Sequence, residues 1–426
     1  MERLIKALKA NKNVADYRVV VSEKRSCELF YVQKKVETER ATHTFAYNVT
    51  LYIDKDGKRG QSSFAYYPHL DDEALAKLID ENIFAAGFTL NQYFPLPGKE
   101  EYSSRVPEGN LASVPFQTLI KEIGEAIFKA DNKESLSLSA TEVFLNKFHH
   151  HIVNSQGVDY EYEQYECRIE TIPNFDRGDE EFELYQAYSF SSFDAKELTE
   201  KVEETLKLCK DRAYAVPLKD VDNLPIILEG EEVAQFFDAF IHDLNYQTVY
   251  AHANRYNIGD AIQENPKGDK MNIELRPEVA GAIASRQVDG DGVILKPVEI
   301  IKDGKAVSRH GSFMFGYYLG EKHPTGVVPV ACVAPGKTDL EEEKKSPYLR
   351  CVRFSGLQAD PFSGFLGGEV RLGYYFDGKK EIPVTGISIQ GNLFKAKDEY
   401  KASKKCQTLE NFYGPKYLYI PDFKIV

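Results

Sequence analysis

Two residues of this 426-residue chain, Asp238 and His242, are of types and at a spacing that could do chemistry. They lie four positions apart in a segment of helical period, whose apolar side chains fall on one arc: Val233, Phe236, Phe237, Phe240, Ile241 and Leu244. Asp238 and His242 share the opposite side of this predicted helix with Gln235. The pair could form a solvated ion pair without a function, or it could present a carboxylate and an imidazole to a ligand. It could hold a metal ion only with a third donor from elsewhere in the chain.

Other candidate metal ligands are a histidine tract and one cysteine. His149, His150 and His151 are consecutive on a predicted strand, where alternate side chains face opposite ways, so at most two could point together. Cys406 follows two lysines and is the better candidate for an exposed thiol, whereas Cys351 lies in a strand pattern and is most simply a buried small residue. Neither the tract nor Cys406 by itself predicts a metal site.

The helix that carries Asp238 follows a short apolar run, Pro225 to Leu228, which predicts a buried strand. Upstream, strand-like segments separated by turn signals predict an antiparallel meander: Tyr17 to Ser22, Cys27 to Glu37, Thr42 to Asp54 and Arg59 to Tyr66. Acidic residues at Asp71 then open an amphipathic helix. The same order of helix, strands and acid-started helix recurs further along, with the second such helix opening at Asp194. This recurrence indicates a diverged duplication.

Beyond Pro217 the chain reads mostly as strand and turn. Predicted strands include 282–288, 293–301, 313–319, 350–355, 369–376 and 381–390. We therefore predict an α+β protein of two domains. The N-terminal domain, residues 1–213, would contain an internally duplicated unit of antiparallel sheet plus helix at 1–90 and 113–212. The C-terminal domain, residues 214–426, would be rich in β-structure.

Composition and charge limit the class of protein. The 53 basic and 66 acidic side chains give a net charge of −13, which opposes direct binding to DNA or RNA because a polyanion needs neutralising cations. Six cysteines without paired spacing suit a reducing cytoplasm. No apolar run reaches the roughly 20 residues of a membrane span. We expect a cytoplasmic protein that binds neither nucleic acid nor membrane.

Several segments together resemble the TldD/PmbA family, also called the modulator-of-gyrase family. Each segment is short, but their order and spacing over roughly residues 15 to 426 make the joint match specific. They are Asn154-Ser155 with Gly157, Asp289-Gly290-Asp291-Gly292, Asp303-Gly304, Pro324-Thr325-Gly326, Ser363-Gly364-Phe365 with Gly378, Pro383-Val384, Gly391-Asn392, and Cys406 ahead of Gly414-Pro415.

The resemblance implies a heteromeric metalloprotease that acts on short or unfolded peptides. One subunit type, TldD, carries an H-E-x-x-x-H helix whose histidines bind zinc together with a later cysteine. This chain departs from that pattern, since the motif would fall on Phe237, Asp238 and His242, and a phenylalanine cannot donate a lone pair to zinc. The chain therefore resembles the TldE/PmbA type, in which the zinc motif is missing. Cys406 matches the position of the late cysteine.

Three functions follow as alternatives. The first is a subunit without its own zinc that pairs with a TldD-like catalytic subunit, or with a second copy of itself, and helps to bind peptide through Asp238, His242, Asn154 and Ser363. The zinc would lie in the TldD-like partner, and we predict no cofactor in this chain. The second is a self-sufficient peptidase with a degenerate site, using His242 and Cys406 as metal ligands and Asp238 in catalysis. The third is a non-enzymatic protein that modulates gyrase or a toxin by binding.

Overall fold

The N-terminal half is built on one antiparallel sheet, to which both predicted units contribute. The computed structural model describes residues 1–132, 135–219, 221–339 and 346–426. In the N-terminal half the helices are α1 Glu2–Ala10, α2 Asp72–Ala86, α3 Phe116–Ala130 and α4 Ala195–Ala213, with one 3₁₀ turn at Leu111–Ser113. The strands are β1 Asp16–Val32, β2 Lys35–Lys55, β3 Lys58–Tyr66, β4 Asn91–Gln92, β5 Leu136–Asn154, β6 Asp159–Asp176, β7 Glu181–Glu183 and β8 Gln186–Phe190.

The strand order is β4-β3-β2-β1-β5-β6-β7, and β8 also pairs with β6. The central pair is β1 and β5, which run antiparallel in unbroken register from Arg18 opposite Asn154 to Val32 opposite Ala140. Each half of the sheet is preceded and followed by helices, α1 and α2 for the first and α3 and α4 for the second. The division at 213/214 and the duplication remain predictions.

The predicted strand Cys27 to Glu37 was wrong in its bounds. Strand β1 runs without interruption from Asp16 to Val32, and the chain then turns at Gln33 and Lys34 into β2. The polar residues around Glu23 do not break β1, because both β2 and β5 pair with it there and satisfy its backbone groups.

All four N-terminal helices pack on the same side of this sheet. Odd-numbered residues of β1 are buried beneath them: Tyr17, Val19 and Val21 in the core that contains α1 and α2, and Cys27 and Leu29 in the core that contains α3 and α4. The later helix of each pair is capped in the same way. The carboxylate of Asp71 accepts a hydrogen bond from Ala74 N (2.8 Å), and that of Asp194 accepts one from Glu197 N (2.9 Å).

The C-terminal half adds two further sheets. Its helices are α5 Glu231–Asp243, α6 Tyr246–Tyr250, α7 Phe313–Tyr318 and α8 Leu393–Glu399. Its strands are β9 Val216–Pro217, β10 Asn223–Glu229, β11 Ile273–Arg276, β12 Val298–Lys302, β13 Lys305–Ala306, β14 Val330–Val333, β15 Tyr348–Ala359, β16 Phe365–Phe376, β17 Glu381–Thr385, β18 Ile387–Asn392, β19 Lys401–Ala402, β20 Cys406–Thr408, β21 Phe412–Pro415 and β22 Tyr417–Ile425. The sheet orders are β15-β10-β22-β18-β16-β17-β9, with β19 also on β22, and β13-β12-β11-β14-β21-β20.

This arrangement confirms the predicted α+β fold with a β-rich C-terminal region. Two predicted strands were wrong: residues 282–288 form turns, and 313–319 form the short helix α7. A short apolar run has the same pattern in a buried strand and in a buried helix, so periodicity alone could not separate them. None of the helices in the described ranges combines the length and apolar character that a membrane crossing requires.

The side of the N-terminal sheet opposite the helices packs against the C-terminal half. Arg18 on β1 forms an ion pair with Asp291, and Arg168 on β6 pairs with Glu410 at 3.0 Å. Asp289, almost fully buried, accepts hydrogen bonds from the N–H groups of 291, 293 and 327 and so holds the Asp-Gly-Asp-Gly loop in shape. The loop that carries part of the family resemblance therefore has a structural role at this contact.

Candidate functional site

Helix α5 is positioned by the strand that precedes it. Strand β10 lies between β15 and β22, so its backbone is paired on both sides. The chain leaves it through Gly230, whose φ of +67° lies in the left-handed region that favours glycine. The carbonyl of Gly230 accepts a hydrogen bond from Gln407 Nε2 at 2.9 Å, which ties the start of α5 to β20. The apolar side of α5 is buried, and its polar side faces outward as predicted.

A cleft of about 380 Å³ lies along the polar side of α5. The helix supplies one wall, and the end of β15 with the loop after it supplies the other. The lining residues are Gln235, Asp238, Ala239 and His242 from α5, and Leu357, Ala359, Pro361 and Phe362 from the facing wall. A cleft with one carboxyl, one imidazole and one amide beside apolar side chains can bind a polar main chain together with an apolar group.

The electrostatics of the cleft centre on Asp238. Although its side chain reaches solvent, the surrounding atoms desolvate the carboxylate and raise the pKa of Asp238, and the nearby His242 offsets part of that rise. In the described residues no ion pair joins Asp238 to His242, since none of the contacts within 4.0 Å links them. His242 Nε2 instead lies 3.3 Å from Thr248 Oγ1 on α6. The two side chains are therefore separately available to a ligand.

The facing wall is fastened to the end of α5 by Arg255. Its Nη2 donates a hydrogen bond to Phe362 O at 2.9 Å, and its guanidinium lies 3.9 Å from the centre of the Phe394 ring. The backbone N–H of Arg255 in turn donates to the carboxylate of Asp243, a buried residue in the last turn of α5 (2.7 Å). This chain of contacts holds Phe362, a residue that is 59% exposed, at the mouth of the cleft.

Ser363 and Asn154 lie outside the lining of the cleft. Ser363 follows Phe362, but its hydroxyl donates to Asp360 Oδ2 at 2.6 Å within the same turn. Asn154 is buried in the N-terminal sheet, where its side chain donates to Pro97 O (2.8 Å) and accepts from the N–H groups of Gln156 (2.9 Å) and Val158 (3.1 Å). Both side chains are engaged in shaping turns.

The donors around α5 do not fit a zinc ion. Phe237 is fully buried, and its ring packs against those of Tyr400 and Phe412, with centroids 5.6 and 6.3 Å away. Cys406 is partly exposed on β20, in the six-stranded sheet, and does not line the cleft. Across the described ranges no group of three or more His, Cys, Asp or Glu side chains is arranged to hold a metal ion.

The histidine tract divides between the two sides of its strand. His149 and His151 lie on the helix side, with His149 Nε2 3.2 Å from Glu161 and His151 Nε2 2.6 Å from Asp159. His150 points the other way and packs between Phe148 and Tyr162, and burial lowers its pKa. The prediction that at most two of the three could point together is confirmed.

Sequence reasoning missed the facing wall of the cleft and its fastening. Leu357 and Phe362 are more than 100 positions from α5, and no local pattern links them to it. The one available signal was Phe362, an aromatic residue within the turn-forming segment Asp-Pro-Phe-Ser-Gly. The ring of a residue in such a turn is expected to be exposed, and an exposed ring can contact a ligand. Arg255 had no signal, since its side chain contacts Phe362 and Phe394, which are both more than 100 positions away.

Comparison with known proteins agrees with the fold and with the resemblance. The family described as the PmbA/TldA metallopeptidase C-terminal domain matches residues 222–426. No curated protein sequence matches the chain significantly.

Similar solved structures span the whole chain. TldE from Thermococcus kodakarensis superposes with a TM-score of 0.79 at 14% identity, covering 100% of this chain and 99% of that one. A protein from Thermotoga maritima named as a candidate modulator of a DNA gyrase gives 0.77 at 16% identity, covering 100% and 99%. Another so named, from Bacteroides thetaiotaomicron, gives 0.77 at 14% identity, covering 100% and 97%.

At these identities the structural likeness is one of fold, whereas the family match rests on sequence. Residues 222–426 therefore match the C-terminal domain of the TldD/PmbA family, and the chain shares the fold of TldE along its whole length.

Proposed function

We propose that this chain is a cytoplasmic, peptide-binding subunit of a TldD/TldE-type metalloprotease and that the zinc is supplied by a TldD-like partner. The observation that carries the proposal is which residues of α5 line the cleft and which are buried. The helix keeps a polar side on a 380 Å³ cleft, yet the position aligned with the first zinc histidine is a fully buried phenylalanine. The chain has the surface for a substrate without the donors for the metal.

The two walls of the cleft suit an extended or unfolded peptide. Leu357, Pro361 and Phe362 offer apolar surface to a side chain, while Gln235 and His242 offer hydrogen-bonding groups to a main chain. Recognition through the main chain makes little demand on peptide sequence. Asp238, whose pKa is raised, accepts a hydrogen bond as a carboxylate and donates one when protonated.

The test is to express the chain with an H-E-x-x-x-H chain of the same family and to measure co-elution, zinc per subunit and turnover of an unstructured peptide. We expect a stable mixed complex, zinc only on the partner, and a KM that rises about tenfold or more in Asp238→Ala. Exposed Asp72→Ala, on α2, is the matched control.

Turnover by the complex that is unchanged in Asp238→Ala would contradict the substrate role of the cleft. Close to one zinc per chain in this protein purified alone, lost in His242→Ala, would contradict the subunit role and favour a self-sufficient peptidase.

A further inference from the structure

We propose that a second cavity, on the helix side of the N-terminal sheet, binds a small amphipathic carboxylate with a short apolar or aromatic body. The cavity measures about 380 Å³. Its floor is formed by β1, β2, β5 and β6, and its roof by the 3₁₀ turn at Leu111–Ser113 and the start of α3. It belongs to the N-terminal half, whereas the α5 cleft lies in the C-terminal half, so the proposal does not depend on the proposed function.

Two cations face each other at the open edge of this cavity, where the Arg25 side chain is 65% exposed and that of Lys147 is 34% exposed. Arg25 on β1 lies directly opposite Lys147 on β5 in the register of the central strand pair, so both side chains are on the same side of the sheet. An anion placed between them would accept hydrogen bonds from both side chains.

Each of the two cations is paired with a neighbouring carboxylate. Glu23 lies 2.9 Å from Arg25 and Glu163 lies 2.5 Å from Lys147, but neither carboxylate belongs to the lining, which contains no acidic side chain among the described residues. A guanidinium has five N–H donors and an ammonium has three, so donors remain for a ligand after these ion pairs form. The lining thus offers cationic hydrogen-bond donors beside apolar side chains, which is what a small carboxylate with an apolar body needs.

The rest of the cavity is apolar and partly aromatic. The rings of Phe116 and Tyr165 meet edge to face with centroids 6.3 Å apart, and Lys147 Nζ lies 5.2 Å from the centre of the Tyr165 ring. Val114 and Pro115 complete the wall. A ligand body packed here would cover apolar surface, while its carboxylate reached the cations at the open edge.

The start of α3 keeps this wall free of negative charge. The helix begins after Pro115 with no side-chain cap and no acidic residue in its first turn. It thus differs from α2 and α4, where Asp71 and Asp194 cap the helix. Its partial positive charge adds to that of the two side chains.

The carboxylate could come from a free acid or from the C-terminus of a peptide with an apolar last residue. Isothermal titration of the full-length protein with 3-phenylpropanoate and with acetyl-Gly-Gly-Phe, each beside its neutral carboxamide, separates these sources. The variants are Arg25→Gln, Lys147→Met and Ala112→Phe, the last of which fills the cavity without touching its charge. Exposed Lys121→Met on α3 is the matched control.

We expect saturable binding of at least one acid, a loss of about tenfold or more in affinity for its carboxamide and in each of the three variants, and no change in the control. Binding of 3-phenylpropanoate alone would assign a free acid, and tighter binding of the peptide would assign a C-terminus. Equal binding of acid and carboxamide, unchanged affinity in Ala112→Phe, or no saturable binding of either acid would overturn the proposal. Thermal unfolding of each variant shows whether it is folded before titration.

Discussion

The ring of Phe237 stacks on that of Phe412, with centroids 6.3 Å apart and planes inclined by 18°. Phe237 comes from α5 and Phe412 from β21, so the contact joins the helix beside the candidate cleft to the six-stranded sheet. The position that the resemblance aligns with the first histidine of the zinc motif is therefore occupied by a packing residue. The side chain points into the core, away from the cleft that Asp238 and His242 line.

Replacing Phe237 with histidine should destabilise the protein without creating a zinc site. The change removes ring contacts and buries a polar group, which together should lower the free energy of unfolding by about 2–4 kcal/mol. Urea denaturation measures this loss, and elemental analysis measures zinc. Phe362→His, at an exposed ring, is the control and should cost less than about 1 kcal/mol. One tightly held zinc in Phe237→His would show that the residue is a lost ligand position and not a core position.

Glu232, in the first turn of α5, should make stability depend on pH. Burial raises the pKa of its carboxyl from 4.5 to about 7. A raised pKa means that the folded protein binds the proton more tightly than the unfolded chain, so stability falls as pH rises from about 4.5 to about 7. Glu232→Gln removes this cost. We expect it to stabilise the protein at pH 8 by on the order of 2 kcal/mol and to have little effect at pH 4.

Chemical denaturation at several pH values measures the effect of Glu232→Gln. Exposed Glu231→Gln, in the same turn, is the matched control and should show no such dependence. A gain that is equal at pH 4 and pH 8 would mean that packing, and not titration, explains the substitution.

The parts of the fold that were predictable are those fixed by local chemistry. The apolar arc of α5 was visible because a buried helix face repeats at 3.6 residues, and the caps Asp71 and Asp194 were visible because a short acidic side chain satisfies free N–H groups at a helix start. The turn between β1 and β2 was missed because Gln33 has a φ of +52° without being glycine or asparagine. Its sequence contains no turn signal.

The parts of the candidate site that could not be predicted depend on contacts between distant segments. Asp238 and His242 were identified because both are on one helix. Phe362 and Arg255 come close to them only in the tertiary fold. Asn154 matches the family pattern, but its side chain forms hydrogen bonds that hold a turn and is not available to a ligand. A sequence motif specifies residue types. Whether the hydrogen-bonding groups of each residue are free to bind a ligand depends on its neighbours in the folded protein.

Replacing Arg255 with methionine should loosen the outer wall of the cleft. Methionine keeps much of the apolar contact with Phe394 but cannot donate to Phe362 O, so residues 360–365 should exchange amide hydrogens faster, by about fivefold or more. Hydrogen exchange read by mass spectrometry measures this, with exposed Arg371→Met as control. In the proposed mixed complex the same variant should weaken peptide binding. Unchanged exchange in this loop would show that Arg255 does not hold Phe362.

The helix caps Asp71 and Asp194 offer a last prediction. Asp71→Ala and Asp194→Ala should each lower the free energy of unfolding by about 1 kcal/mol, because each removes the hydrogen bond to a free N–H at the start of a helix. The two capped helices pack in separate hydrophobic cores, so the losses should add in the double variant within about 0.5 kcal/mol. Asp72→Ala, next to the first cap and without a cap bond, is the control. Losses that do not add would show that the two units unfold in a coupled way through the central β1–β5 pair.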